Sequence, residues 1–163
     1  MELLKEIVPQ AKRIAVLWNS GNVSKVVEWN ETQAAAQILE LTLRSVEART
    51  PTELEGALAS ILRERPDAMI AFVEGLTLAF RQRIGRFALE NRLPMISALR
   101  EFAVVDGLAT YGTSRPDLWR RSAAYVDKII RGANPADLPV EQPTRFELVI
   151  NRSVPAEITL AVQ

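Results

Sequence analysis

The chain has 163 residues, 48% hydrophobic and 25% charged, the composition of one globular domain, which excludes disorder and collagen-like repeats. Its 20 Lys+Arg balance 20 Asp+Glu, so no positive field of the kind that phosphate backbones select is built, and no nucleic acid is expected as a partner. With 0 Cys and 0 His, disulfides, thiolate nucleophiles, Cys/His zinc sites and Ser-His-Asp triads fall away together, which leaves no catalytic constellation and no cofactor site to expect.

Residues 1–9 place acids inside a short amphipathic pattern without a basic start or a small-residue cleavage site, so no export signal is read there. No apolar run approaches the roughly 20 residues that span a bilayer. Residues 13–18 (RIAVLW) form a compact β-branched apolar run, too short for a helix and suited to a strand covered on both faces. Asn19-Ser20-Gly21-Asn22 follows, a turn-forming cluster able to cap a helix over 23–40, where Val26, Val27, Ala34, Ile38 and Leu39 recur at helical spacing. Residues 41–47 alternate apolar and polar, as a strand near a sheet edge does.

Thr50-Pro51-Thr52-Glu53 carries an N-cap, a first-turn proline and a capping-box acid for a helix running to about residue 65. Residues 68–73 (AMIAFV) read as a second buried strand, 78–91 as a third helix, 94–97 as a short strand and 108–111 as another. Ser114-Arg115-Pro116-Asp117 then caps a helix that stops at Gly132 and carries Leu118, Tyr125, Val126, Ile129 and Ile130 as an apolar stripe. The three prolines of 134–143 mark an extended connector, 146–150 (FELVI) resume as a strand, and the residues after Asn151 are expected to form an edge strand or a frayed tail.

Alternating strands and crossover helices imply an α/β fold: a doubly wound parallel sheet in a three-layer α/β/α arrangement with flavodoxin-like topology. Ligands in such folds sit at the carboxyl ends of the strands. Those ends carry Asn19 and Ser20, Glu74 and Gly75, Ser97 and Arg100, and Tyr111. Glu74 is placed to receive a ligand ammonium, Asn19 and Ser20 a carboxylate at a helix start, Arg100 a carboxylate by bidentate pairing, and Tyr111 and Phe102 an aromatic ring. Structural roles compete with each assignment. Glu74 also suits an N-cap, Asn19 and Ser20 suit plain capping, Arg100 suits pairing with Glu101, and Phe102 suits core packing. Trp18, Trp29 and Trp119 read as core or interface residues, and Glu28 and Glu31 as a solvated face. Neither Gly-containing loop, NSGN or VEGLT, fits a phosphate-binding pattern, and Trp18-Asn19-Ser20 replaces the acids a response-regulator receiver needs.

The stretches RIAVLWNSGN, NRLPMISALREFAVVDGLATYG and DLWRRSAAYVDKIIRGANPADLPVEQPTRFELVIN resemble the substrate-binding proteins of ABC importers, of tryptophan/tyrosine type, over about residues 2–151. The final block is the most specific. The resemblance implies a periplasmic-binding-protein fold of type I, in which two α/β lobes joined by three crossing segments close on a small solute, with importer membrane subunits as partners and a periplasmic or extracytoplasmic location. It makes residues 1–112 the second lobe, 113–133 a helix that packs on a first lobe, 134–151 the return crossing and strand, and 152–163 a divergent tail. The expected function is non-enzymatic binding of a small organic solute such as an aromatic amino acid. The rival expectation is a half-length homologue that covers its orphan stripe on helix 117–131 by forming a homodimer.

Overall fold

The structure, a computed structural model, describes residues 1–154. Helix α1 (Glu2–Ile7) leads into strand β1 (Arg13–Trp18), followed by α2 (Val23–Ile38), β2 (Thr42–Glu47), α3 (Pro51–Glu64) and β3 (Ala68–Ala71). Then come α4 (Gly75–Ala79), α5 (Arg81–Glu90), β4 (Met95–Ser97), α6 (Arg100–Ala103), β5 (Ala109–Thr113), α7 (Arg115–Ile130) and β6 (Phe146–Ile150). The six strands form one sheet in the order β2-β1-β3-β4-β5-β6. The first five are parallel in the flavodoxin-like order, which puts all their carboxyl ends on one rim.

Strand β6 departs from the expected all-parallel sheet. It runs antiparallel to β5, pairing Ala109 with Ile150 and Thr113 with Phe146. The chain leaves the sheet after β5, makes α7 and the connector, and comes back beside its point of departure, so only the antiparallel direction is open to it. The alternating strand at 42–47 lies, as its pattern suggests, at the opposite sheet edge.

Side-chain caps open α2, α3 and α4, whereas Ser114, expected to cap α7, makes no side-chain cap bond among the described residues. Asn22 caps α2 by accepting the Ser24 N–H at 3.1 Å, and Thr50 caps α3 by accepting the Glu53 N–H at 3.3 Å. The Glu53 carboxylate reaches back to the Arg49 N–H at 2.8 Å rather than to Thr50. One expected helix is two. The segment 78–91 is broken at Phe80, whose φ of −98° and ψ of 17° end α4 and begin α5. The Arg81 guanidinium donates to the Leu78 carbonyl at 2.9 Å, adding a side-chain donor at the break.

Alternation along β1 splits the core into two layers. Ala15 and Leu17 point into the layer closed by Leu54, Leu58 and Ile61 of α3, Ile84 and Phe87 of α5, and Phe102 of α6. Ile14, Val16 and Trp18 point into the layer closed by Leu4 and Ile7 of α1 and Ala36 of α2. Each fully buried aliphatic or aromatic side chain of these layers contributes about 1.5–3 kcal/mol. Trp18 adds a stacked contact with Trp29, ring centroids 5.5 Å apart, and its indole N–H donates to Ser45 Oγ at 2.8 Å.

At the amino ends of the strands Asp67 joins β1 to β3, accepting the N–H groups of Lys12 at 2.9 Å and Arg13 at 2.8 Å. Burial works to raise its pKa, but those two donors and the Arg13 charge outweigh burial and hold the carboxyl below its usual value.

Helix α7 contributes no buried residue. The connector straps one side of it: Tyr125 donates to the Pro139 carbonyl at 2.6 Å, and Arg121 donates to Thr144 Oγ1 at 3.0 Å and to Glu141 at 2.5 Å. Within this strap the Tyr125 hydroxyl and the Arg121 guanidinium hold the Glu141 carboxyl below its usual range. The connector is extended apart from one 3-10 turn, Pro135–Asp137. Of the expected tail, 152–154 form a turn with Val154 buried, and the rest lies outside the described residues.

Candidate solute-binding rim

Two of the candidate side chains meet directly. Asn19, just past β1, donates its Nδ2 to Glu74 Oε2 at 3.4 Å, while its Oδ1 accepts the Gly21 N–H at 2.9 Å. The other Glu74 oxygen accepts the Thr77 N–H at 2.8 Å, and Thr77 Oγ1 accepts the Glu74 N–H at 3.1 Å. Thr77 is buried and donates its hydroxyl to the Phe72 carbonyl at 2.6 Å. This closed capping box fixes the Glu74 backbone and one carboxylate oxygen, and turns the second oxygen along the rim toward Asn19. Capping and ligand reception are therefore compatible in Glu74, because among the described residues its second oxygen is held only by the long bond.

The other candidates are distributed around this pair. Ser20 accepts from Arg49 Nε at 2.9 Å, tying the turn after β1 to the end of β2, and the cap of α2 falls to Asn22 instead. Gly75 opens α4 and is exposed, with nothing within 4 Å of where a Cβ would stand. Ser97 is buried and spends its hydroxyl on the Ala71 carbonyl at 2.7 Å, which locks β4 to β3 at the rim. Tyr111 is half exposed and stacks on Phe146, centroids 5.8 Å apart. With Ser97, Ala98 and Phe72 it lines a cleft of about 180 Å³ over the ends of β3, β4 and β5.

Arg100 is exposed at the start of α6 and has no ion-pair partner among the described residues; Glu101, its expected alternative partner, is held by Arg115 at 3.3 Å. Phe102 is the correction among these residues. Its ring has 0% exposure within the core layer under α6 and does not reach the rim, because the one-turn helix aims it at the sheet. Trp119 shares neither fate of the other tryptophans and stands 70% exposed on α7.

Sequence reasoning missed Thr77 and Arg49 as positioning groups. Thr77 was findable, since Glu74 and Thr77 have the spacing of a reciprocal cap. The approach of β5 to the β4–α6 loop was not, although it shapes the rim: a Cβ at Gly112 would sit 1.9 Å from the Ala98 carbonyl oxygen. Among the described residues no group of three Asp or Glu side chains is placed to hold a metal ion, and no helix is long and apolar enough to cross a membrane.

An open α/β lobe in flavodoxin-like order, with polar side chains gathered at its carboxyl rim and an antiparallel return strand at its edge, is a periplasmic-binding-protein-like domain. The sequence model of the family described as ABC transporter substrate binding protein matches residues 1–163, and the chain belongs to that family. A tyrosine-binding protein of Clostridioides difficile strain R20291 is 22% identical over 151 residues, 93% of this chain and 44% of that protein. Among solved structures, a conserved domain protein of Vibrio cholerae superposes with a TM-score of 0.87 at 24% identity, over 96% of this chain and 53% of the other. The ABC domain of Streptococcus pneumoniae in complex with L-Trp superposes with a TM-score of 0.85 at 22% identity, over the same shares. At these identities the superpositions show the fold. The chain spans about half the length of the relatives it matches.

Proposed function

We propose that residues 1–112 form the second lobe of an extracytoplasmic solute-binding protein serving an ABC importer, and that the carboxyl rim is one wall of its cleft. In this reading residues 113–133 pack on a first lobe, 134–151 return to the sheet, and the bound solute is a small amino acid with an aromatic side chain. One observation carries the reading. Glu74 presents a carboxylate oxygen at a strand end, oriented by a buried threonine and shared, among the described residues, only with Asn19 through a 3.4 Å bond. An ammonium group offers that oxygen a stronger, charge-assisted bond than the asparagine amide does. Tyr111 and Ser97 border the same rim, and the relatives named above include one called tyrosine-binding and one complexed with L-Trp.

The test is an amide-resolved NMR titration of the chain with L-Trp and L-Tyr, which registers the weak contacts of a single wall. The amides of Gly21, Glu74 and Thr77 are expected to shift, and Glu74→Gln is expected to abolish the shift. A rim that stays silent with both amino acids at saturating concentration refutes the aromatic-solute reading.

A second reading, self-association without transport, is favoured by α7. The connector lies along the side bearing Leu118, Arg121 and Tyr125, but Ile129 is still 41% exposed, and Trp119, Val126 and Ile130 remain 70%, 54% and 79% exposed at heptad-like spacing. Sedimentation velocity over a concentration series decides it. A monomer at every concentration removes this reading.

A further inference from the structure

The two edges of the sheet are unlike. Strand β2 carries Arg44 and Glu47, ion-paired with Glu64 and Arg49, and charges of this kind blunt an edge against further pairing. Strand β6, the last strand of the sheet among the described residues, has no proline and a single charged residue, Glu147. Its ladder with β5 shows which backbone groups are already spent. The Ser114 N–H bonds the Arg145 carbonyl at 3.0 Å, and the Asn151 N–H bonds the Leu108 carbonyl at 2.8 Å. Hydrogen-bonded pairs recur at every second residue of an antiparallel ladder, so Glu147 and Val149, between those two ends, also bond β5. The N–H and C=O groups of Phe146, Leu148 and Ile150 therefore point away from β5, along the free edge. The side chains of the same three residues are each about half exposed, on the sheet face that also bears half-exposed Tyr111. An unblunted edge flanked by apolar side chains is a template for another strand.

We propose that β6 pairs antiparallel with β6 of a second copy of this chain, about a two-fold axis that passes through Leu148 perpendicular to the sheet. In that register Leu148 faces Leu148 of the second copy and Phe146 faces its Ile150, so every outward N–H and C=O of the three residues meets a partner. Phe146, Leu148, Ile150 and Tyr111 of the two copies join into one apolar strip across the axis. Glu147, on the opposite face, stands across from Val149. Moving the axis to Glu147 sets that carboxylate against its own copy, and moving it to Val149 sets Phe146 against Arg152, beyond the end of β6. A slip of half a step turns one strand's faces over. The strand is thus complementary to itself in one register, which makes a second copy the occupant. The proposal rests on the self-association reading for its dimer, but places the contact on the sheet edge instead of on α7.

The test uses the intact chain, with sedimentation velocity over a concentration series and backbone amide exchange followed by NMR. A dimer is expected. The amides of Phe146, Leu148 and Ile150 are expected to exchange more slowly as protein concentration rises, while those of Glu147 and Val149, bonded to β5, are protected at every concentration. Leu148→Lys sets two ammonium groups against each other on the axis and is expected to give a monomer in which the Phe146 and Ile150 amides exchange freely. Leu148→Pro removes an outward N–H without touching the β5 ladder and is expected to do the same. Retained protection at Val149 shows that either variant is folded. Trp119→Ser, on α7, is expected to leave the dimer intact. A monomer at every concentration overturns the proposal, and so does a dimer that Leu148→Lys leaves unchanged. Protection of the three edge amides in a monomer assigns the edge to another segment of the same chain and also overturns it. A dimer that Trp119→Ser abolishes, with the three edge amides exchanging freely in wild type, belongs to α7 and refutes the edge contact. The titration of the rim with L-Trp and L-Tyr reads different amides, so the solute-binding reading and this one fail separately.

Discussion

Replacing Gly112 by Ala tests how the rim is held together. The added methyl would stand 1.9 Å from the Ala98 carbonyl oxygen and 2.9 Å from its carbon, where ordinary contact begins at 3.4 Å. Both obstructing atoms are backbone, so no rotamer change relieves the clash, and β5 and the β4–α6 loop must separate by about 1.5 Å, the 3.4 Å contact less the 1.9 Å available. Overpacking of this kind costs about 1–3 kcal/mol. For a chain of this length each kcal/mol is worth roughly 2–4 °C, so the melting temperature is expected to fall by about 2–12 °C in differential scanning calorimetry. Two other glycines calibrate the result. Gly85→Ala meets the Val105 carbonyl oxygen at 1.6 Å and is expected to destabilise comparably without touching the rim. Gly56→Ala, on the exposed face of α3 with nothing within 4 Å, is expected to stabilise by about 0.5–1 kcal/mol. Of the two destabilising changes, only Gly112→Ala is expected to shift the amides of Ala98 and Arg100. A Gly112→Ala protein as stable as wild type would refute the close approach and, with it, the geometry assigned to the loop.

Three further outcomes follow from contacts described above. Glu74→Ala removes the acceptor for the Thr77 N–H and is expected to cost about 0.5–2 kcal/mol, with faster hydrogen exchange at Thr77; unchanged protection there contradicts the capping box. Asp67→Asn is expected to cost about 1–2 kcal/mol at neutral pH by weakening two charge-assisted hydrogen bonds. Because the folded state lowers the Asp67 pKa, its contribution is complete above the unfolded-state pKa and is lost as pH falls through the folded value. Chemical denaturation of wild type and variant should therefore converge in acid, and a gap that widens there reverses the assigned sign. Phe102→Ala is expected to cost about 3–5 kcal/mol, and a loss below about 1 kcal/mol would contradict its place in the core.

Strand positions, the parallel order and the Thr50 cap were legible because each is written in contiguous residues, β-branched runs and a proline one place after a threonine, whereas the turn cluster 19–22 marked a helix start without singling out Asn22 as its cap. What escaped depended on partners distant in sequence. The break at Phe80 has no Gly or Pro to announce it. The antiparallel direction of β6 follows from where α7 returns the chain, which the alternation in FELVI does not encode. The rim residues were readable as a set, since strand ends follow from strand limits, but their roles were not. Ser97 spends its hydroxyl on Ala71, Ser20 answers to Arg49, and Phe102 turns inward because a four-residue helix, invisible to periodicity, orients it. The apolar stripe on α7 read as one surface, whereas the connector lies along one side of it and leaves the other bare.

The stretch from α7 through the connector leaves and rejoins the body at a single place, where the Ser114 N–H bonds the Arg145 carbonyl at 3.0 Å. Strands β5 and β6 already lie in antiparallel register at that point, so a two-residue turn can close them as an ordinary hairpin. The whole excursion is a cassette in the topological sense. It can be cut out, exchanged or grafted without re-threading the sheet.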